Sequence, residues 1–296
     1  MKRCGYIAIV GRPNVGKSTL MNYLLGQKLS ITAHKPQTTR HSILGIHTQD
    51  DVQCIFIDTP GIHIGGKRAL NRVLNKAAQA AIQDADAIVM IVQASDWTDE
   101  DQLVFDRVKN LKTPVFLAVN KIDRLNEKQE LLPYLANLPE SENIQEVIPI
   151  SARKGQNVAR LETLITEALP PGDHFFAEDQ ITDRSSRFLA AELVREQLTR
   201  FLSKELPYAL SVEIEQFEHS GGVDHISAVI WVEKKSQKGI IIGKGGERLK
   251  EIGKRSRVSM EKLFGSKVYL QLWVKIKSGW ADDERTLRSL GYTDNQ

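Results

Sequence analysis

Gly11, then Arg12-Pro13-Asn14-Val15, then Gly16-Lys17-Ser18 is a glycine, a four-residue gap and a Gly-Lys-Ser end, the spacing of a phosphate-binding loop. The glycines let successive backbone N–H groups converge on one anion. Lys17 brings a cation to the outer phosphates of a nucleotide, and the Ser18 hydroxyl suits a hydrated Mg²⁺ ion. The apolar run Tyr6-Ile7-Ala8-Ile9-Val10 before the loop reads as a buried strand, and residues 19–25 after it read as a helix. The positive end of that helix then faces the phosphates.

Downstream, other residues extend this chemistry. The polar stretch 29–41 reads as an exposed loop, and it offers Thr38 and Thr39 as hydroxyls that complete a Mg²⁺ shell when a γ-phosphate is present; Thr39 is preferred. Asp58-Thr59-Pro60-Gly61 follows the strand 52–57. There Asp58 is placed to hold the metal through water, and Gly61 lets a backbone N–H approach the γ-phosphate. Alone this string is an ordinary turn; its place after the phosphate loop gives it weight. Ile62 then stands where some GTPases carry a water-positioning glutamine. Isoleucine cannot orient a nucleophile, so slow hydrolysis by the isolated protein is expected. Asn14 suggests a seat for K⁺ beside the phosphates, an expectation that equal hydrolysis in potassium and sodium would count against.

Asn120-Lys121-Ile122-Asp123 selects the base. The Asp123 carboxylate accepts from the N1–H and amino group of guanine, a donor pair adenine lacks, and would be left desolvated and unpaired against adenine. Asn120 bridges base and loop, the Lys121 stem covers the base, and a backbone N–H at Ser151-Ala152 is placed for the guanine O6. The ligand read from these residues is GTP or GDP with Mg²⁺. The GTP-binding set is thus residues 11–18, 58–62 and 120–123 with Ser151 and Ala152; its metal-holding and catalytic members are Lys17, Ser18, Thr39, Asp58 and Gly61.

The elements that must carry these motifs alternate. Apolar runs at 43–47, 52–57, 87–92, 114–119 and 146–150 read as strands, and 68–84, 99–110, 128–137 and 158–169 as helices. This is the pattern of a doubly wound, mostly parallel α/β sheet with each motif at the C-terminal end of a strand. Pro170-Pro171-Gly172 ends that region, and 174–183 lacks period, with Phe175 and Phe176 placed to pin it to one domain. The expected organisation is a nucleotide domain at 1–170, a linker at 171–184, a second α+β domain at 185–280 and a tail at 281–296.

The second domain reads as a helix from Ser185, strands at 211–215 and 226–232, a glycine loop at 238–246, a helix at 247–264 and a strand at 268–276. Lysines and arginines crowd the loop and its helix, among them Lys244, Arg248, Lys250, Lys254 and Arg257, opposed by Glu247, Glu251 and Glu261. Charge alone describes a solvated helix face. The turn Gly243-Lys244-Gly245-Gly246 opening that helix adds a close approach for a single-stranded backbone, so RNA is the favoured ligand. Ile241 and Ile242 would lie under its bases. The competing reading docks this basic face on a protein or an anionic membrane.

With 296 residues, 41% hydrophobic and 26% charged, the chain has room for two cores, and a net charge of +3 names no partner by itself. Cys4 and Cys54 lack metal spacing and read as reduced, buried thiols of a cytosolic protein. The N-terminus lacks a signal-peptide cleavage pattern, and the longest apolar run is far too short to span a bilayer.

Taken over nearly its full length, the chain resembles the Era family of bacterial ribosome-assembly GTPases. Gln37-Thr38-Thr39-Arg40, Asp58-Thr59-Pro60-Gly61-Ile62, Asn120-Lys121-Ile122-Asp123 and the Gly243–Gly246 turn carry the resemblance. It implies a P-loop GTPase domain followed by a type II KH domain. It also implies binding near the 3′ end of 16S ribosomal RNA, a role in 30S subunit maturation and peripheral association with the inner membrane. A monomer is expected.

Overall fold

Ala87-Ile88-Val89-Met90-Ile91-Val92 has no polar alternation, so a strand built from it must be covered on both faces. It forms β4 (Ala87–Gln93), and all six of these residues are buried. The computed structural model describes residues 1–33, 35, 38–61, 69–125, 131–202 and 210–278. Within them β4 is central to a six-stranded sheet in the order β2-β3-β1-β4-β5-β6. The other strands are β1 (Arg3–Val10), β2 (Ile43–Gln49), β3 (Val52–Asp58), β5 (Val115–Asn120) and β6 (Ile144–Pro149). Only the β2–β3 pair is antiparallel. Helices α1 (Lys17–Leu24), α2 (Ala69–Gln83), α3 (Asp99–Val108), α4 (Leu131–Ala136) and α5 (Val158–Ala168) connect the strands. Thr98 starts α3 with a reciprocal capping bond to Asp101. The sheet brings Gly11, Asp58, Asn120 and Ser151 to the C-terminal ends of β1, β3, β5 and β6, the edge at which open α/β sheets bind ligands.

The first of two compact units runs to Asp183, and the second begins at Arg184 and also takes in Ile31–Thr38. Residues 171–183 therefore lie with the first unit. Gln53, fully buried on β3, accepts the Phe175 and Phe176 N–H groups at 2.8 and 3.0 Å and donates to the Phe176 carbonyl at 2.9 Å.

The second unit contains α6 (Ser186–Phe201), β7 (Leu210–Ser220), β8 (Val223–Val232), α7 (Lys235–Ile242), α8 (Glu247–Phe264) and β9 (Lys267–Ile276). β7 and β8 pair antiparallel, β8 and β9 parallel. Leu193, Ile226, Ile230, Ile252 and Val274 belong to the core between the helices and one face of this sheet.

Three expectations are corrected. Residues 235–242 are helical, so the glycine loop shrinks to residues 243–246. Ile241 is completely buried in the core, because the last turn of α7 points it at the sheet; it cannot lie under RNA bases. Nor are the described residues of the stretch 29–41, which leave out 34, 36 and 37, an exposed loop. Leu29, Ser30, Ile31, Thr38, Thr39 and Arg40 are buried. Within the second unit, the polar side of α6 satisfies this segment's backbone. Glu196 accepts from the Thr32 N–H at 2.9 Å, Lys35 donates to the Thr199 carbonyl at 2.6 Å, and Arg195 donates to the Thr38 carbonyl. The helical spacing of 68–84 and 128–137 is matched by α2 and α4, and Arg68 and residues 128–130 lie outside the described residues.

Candidate functional site: a nucleotide pocket and a glycine-turn helix

The loop between β1 and α1 depends on backbone that side chains resist. Gly16 has φ 117°, and a Cβ there would stand 2.2 Å from Asn120 Nδ2. Lys17 is buried, and its Nζ donates to the carbonyls of Gly11 and Arg12, both at 2.9 Å. Burial pulls its pKa down to about 8, partly opposed by Asp58 and Glu100. A polyphosphate at this ammonium favours the charged form, so protonation of Lys17 and anion binding reinforce each other. Arg12 is turned away to acids, with Nε 2.9 Å from Asp101 and Nη2 3.4 Å from Asp96. Val15 is buried, Asn14 is exposed at φ 64°, and Pro13 packs so near Gly61 that a Cβ on the glycine would meet it at 2.8 Å.

Ser18, Thr39 and Asp58 converge. Ser18 Oγ lies 2.7 Å from Asp58 Oδ2 and 2.9 Å from Thr39 Oγ1. The Thr38 hydroxyl instead donates to the Lys35 carbonyl at 2.6 Å. A fourth residue, Ser30, donates to Asp58 Oδ2 at 2.5 Å; nothing in its sequence spacing announces this. Burial raises the Asp58 pKa, with the bonds from Ser30 and Ser18 and the charge of Lys17 acting the other way. Asp58 Oδ1 is buried and has no hydrogen-bond partner among the described residues. Hydroxyls and a carboxylate with an unsatisfied buried oxygen are the hard oxygen donors that Mg²⁺ takes. Thr59 is different: its hydroxyl ties the strand end to the Ile9 carbonyl at 2.8 Å. Pro60 is buried, and Ile62 lies outside the described residues.

At the base end, Asn120 joins two loops. It donates to the Val15 carbonyl at 2.7 Å and accepts from the Ala152 N–H at 2.9 Å. Lys121 donates to Gln93 at 2.7 Å, a tether that sequence reasoning misses because Gln93 merely ends a strand. Burial lowers the Lys121 pKa. Ile122 opens a single 3₁₀ turn that presents Asp123, whose Oδ1 accepts from Ser151 Oγ at 2.6 Å. Ser151 thus orients the carboxylate through its side chain, and the backbone beside it is fixed by Asn120.

In the second unit, Gly243, Gly245 and Gly246 all take positive φ, and the turn runs straight into α8. Lys244 and Arg248 are exposed there, with the Arg248 guanidinium folded onto the Ile240 carbonyl at 2.5 Å. Ile242 is partly buried. Lys250 is exposed and stands two residues, or about 200° of helix, round from Arg248. The turn and Lys250 therefore face different directions.

A GTPase family model described as 50S ribosome-binding GTPase matches residues 6–121, and a KH domain model matches residues 205–281. GTPase Era of Pseudomonas putida (strain W619) is 60% identical over 99% of this chain and 97% of its own length. GTPase Era of Pseudomonas aeruginosa (strain LESB58) is 59% identical over 99% and 96%. The chain belongs to the Era family of GTPases. A crystal structure of Era in complex with MgGDPNP and nucleotides 1506–1542 of 16S ribosomal RNA superposes with a TM-score of 0.95, at 39% identity over 99% of this chain and 100% of that one. A tyrosine-to-alanine variant of Aquifex aeolicus Era bound to GDP·AlF₄⁻ gives 0.94 at the same identity, over 99% of this chain and 100% of its own. GTP hydrolysis is the activity of this Era-family chain, and its fold is a P-loop GTPase domain with a KH domain. Among the described residues no helix is long and apolar enough to cross a membrane.

Proposed function

We propose that this chain is a Mg²⁺-dependent GTP switch that binds small-subunit ribosomal RNA near its 3′ end and assists 30S subunit assembly. The observation that carries the reading is the presence, in one chain, of an Asp123 carboxylate held by Ser151 beside the phosphate loop's sheet edge and a positive-φ glycine turn that opens a basic helix. A solved structure to which the chain is similar over nearly its full length is of Era in complex with MgGDPNP and nucleotides 1506–1542 of 16S ribosomal RNA.

In this reading Lys17 and the N–H groups of the phosphate loop bind the β- and γ-phosphates and oppose the charge that builds on them during transfer. Ser18, Thr39 and Asp58 hold Mg²⁺, which when bound bridges and neutralises phosphate oxygens. Gly61 brings its N–H to the γ-phosphate. Asp123, aligned by Ser151, rejects adenine. Asn14 lends a side-chain oxygen to K⁺. With isoleucine at position 62, unaided hydrolysis is slow. In the KH domain, Lys244 and the N-terminus of α8 meet the RNA phosphates, and Gly245 allows their approach. Monomeric behaviour and peripheral contact with anionic membrane belong to the same proposal, and light scattering and vesicle co-sedimentation test them.

The decisive experiment measures binding of an RNA spanning 16S nucleotides 1506–1542 to the GTP-analogue and GDP forms, alongside Gly245→Asp. Gly245 has φ 61° with nothing within 4 Å of its Cβ position, and aspartate tolerates that backbone, so the variant folds. Binding favoured by the GTP analogue and lost in Gly245→Asp is expected. Equal binding by variant and parent overturns the loop assignment.

A further inference from the structure

The sheet of the KH domain has a second face, turned away from its helices. The register places Tyr269 beside His225, Trp273 beside Val229 and Lys275 beside Trp231, all on that face. Tyr269 is 53% and Trp273 55% exposed. Both stand on β9, an edge strand, four residues apart and so on the same side at about 13 Å spacing. Lys275 and Lys277 follow Trp273 at one end of this row, each with Nζ 5.8 Å from the Trp231 ring centroid.

We propose that this outer face is a second RNA-binding surface, on which unpaired bases stack against Tyr269 and Trp273 while Lys277 meets the backbone. The inference rests on the RNA reading above and extends it to residues outside the glycine turn.

Three observations favour RNA as the occupant. The exposed rings lack aliphatic company: Val229, the β8 residue beside Trp273, is completely buried, and Ser227 and Gln271 fill the interval between the rings. A protein-docking patch mixes rings with aliphatic side chains into a continuous apolar area, whereas isolated rings beside ammonium groups are what stacked bases need. The rings are already oriented, with Tyr269 tilted against His225 at 5.7 Å and its hydroxyl accepting from Gln271 at 3.1 Å. Charge is also sorted across the face. On β7, at the far side, Glu213 takes the Trp231 N–H at 2.8 Å and Glu215 pairs with Lys275 at 2.7 Å. Those acids repel phosphate from β7 and leave the β9 edge as its path. Open sheets that present aromatic side chains to splayed bases are an established mode of single-strand recognition.

The test uses the full chain and the RNA spanning 16S nucleotides 1506–1542, with affinity read by fluorescence anisotropy. Tyr269→Ala/Trp273→Ala should weaken binding by about tenfold per ring lost. Tyr269→Phe/Trp273→Phe, which keeps the stacking faces, should stay within about threefold of the parent, which separates lost stacking from lost folding. RNA carrying 4-thiouridine should crosslink to the peptide containing Tyr269 and Trp273. Parent-like affinity in the double alanine variant, with binding still abolished by Gly245→Asp, overturns this surface and leaves the RNA reading intact. No binding by the parent protein overturns both.

Discussion

Ser30 Oγ and Ser18 Oγ both donate to one oxygen of Asp58, Oδ2, and so fix the carboxylate with its other oxygen, Oδ1, unsatisfied. In the proposed Mg²⁺ site this orientation sets which lone pairs face the metal. Ser30→Ala removes one of the two short bonds without touching nucleotide. Partners of metal-holding groups typically contribute roughly 10–100-fold in affinity. The Mg²⁺ concentration that half-maximally slows release of a fluorescent GDP should therefore rise by about tenfold. An unchanged midpoint would mean that Ser30 is merely packed there.

Arg195 and Glu192 are both almost completely buried, and Arg195 Nε lies 2.7 Å from the carboxylate while Nη2 also reaches the Thr38 carbonyl. Truncating one partner strands the other charge away from water. Arg195→Ala should cost about 3–5 kcal/mol in urea unfolding, and Glu192→Leu/Arg195→Met clearly less. The same truncation releases the Thr38 backbone, so trypsin should cut after the buried Arg40 faster in Arg195→Ala than in the parent. Equal cleavage rates would show that Arg195 does not hold the segment.

These two relationships also mark what the sequence can and cannot disclose. The phosphate loop, Asp58 and the Asn120–Asp123 tetrad are legible because each must sit at a strand end in fixed spacing, and the apolar runs that form the strands are unambiguous. Helix α7 escapes such a reading because Gly239 inside Lys235–Ile242 looks like a loop residue, and burial of Ile241 against the sheet overrides that local preference. The stretch 29–41 looks exposed because its residues are polar. Its partners, Glu196, Arg195 and Thr199, are more than 150 residues away in sequence and lie on what periodicity assigns to the wet side of α6. Polar-to-polar burial leaves no hydrophobic period to read. The same limit hides Ser30 and Gln93.

Burial pushes the Cys54 thiol up to about 12, and it also raises Cys4. Desolvation penalises the thiolate, the reactive form, so at about pH 8 both cysteines stay protonated as well as enclosed. The native protein should consume no Ellman reagent over minutes, and both thiols should react once guanidinium unfolds it. A native thiol that reacts stoichiometrically would contradict the placement of β1 and β3.

In the proposed reading, base choice rests on Asp123, which accepts from Ser151 at 2.6 Å. Guanine offers two donors to this carboxylate. Asp123→Asn presents an amide whose N–H₂ meets the guanine amino group donor to donor, and loses the charge on the bond to N1–H. GTP affinity should fall by at least about 100-fold, in line with a buried polar pair left mismatched. Xanthine carries a carbonyl in place of that amino group, so the amide can donate to it while its oxygen still accepts from N1–H. The Ser151 hydroxyl can rotate to serve the amide oxygen as it served the carboxylate. Xanthosine triphosphate should therefore bind Asp123→Asn more tightly than it binds the parent, and isothermal titration of both proteins with both nucleotides reads the exchange. Retained guanine preference in the variant would mean that the base is read elsewhere in the pocket.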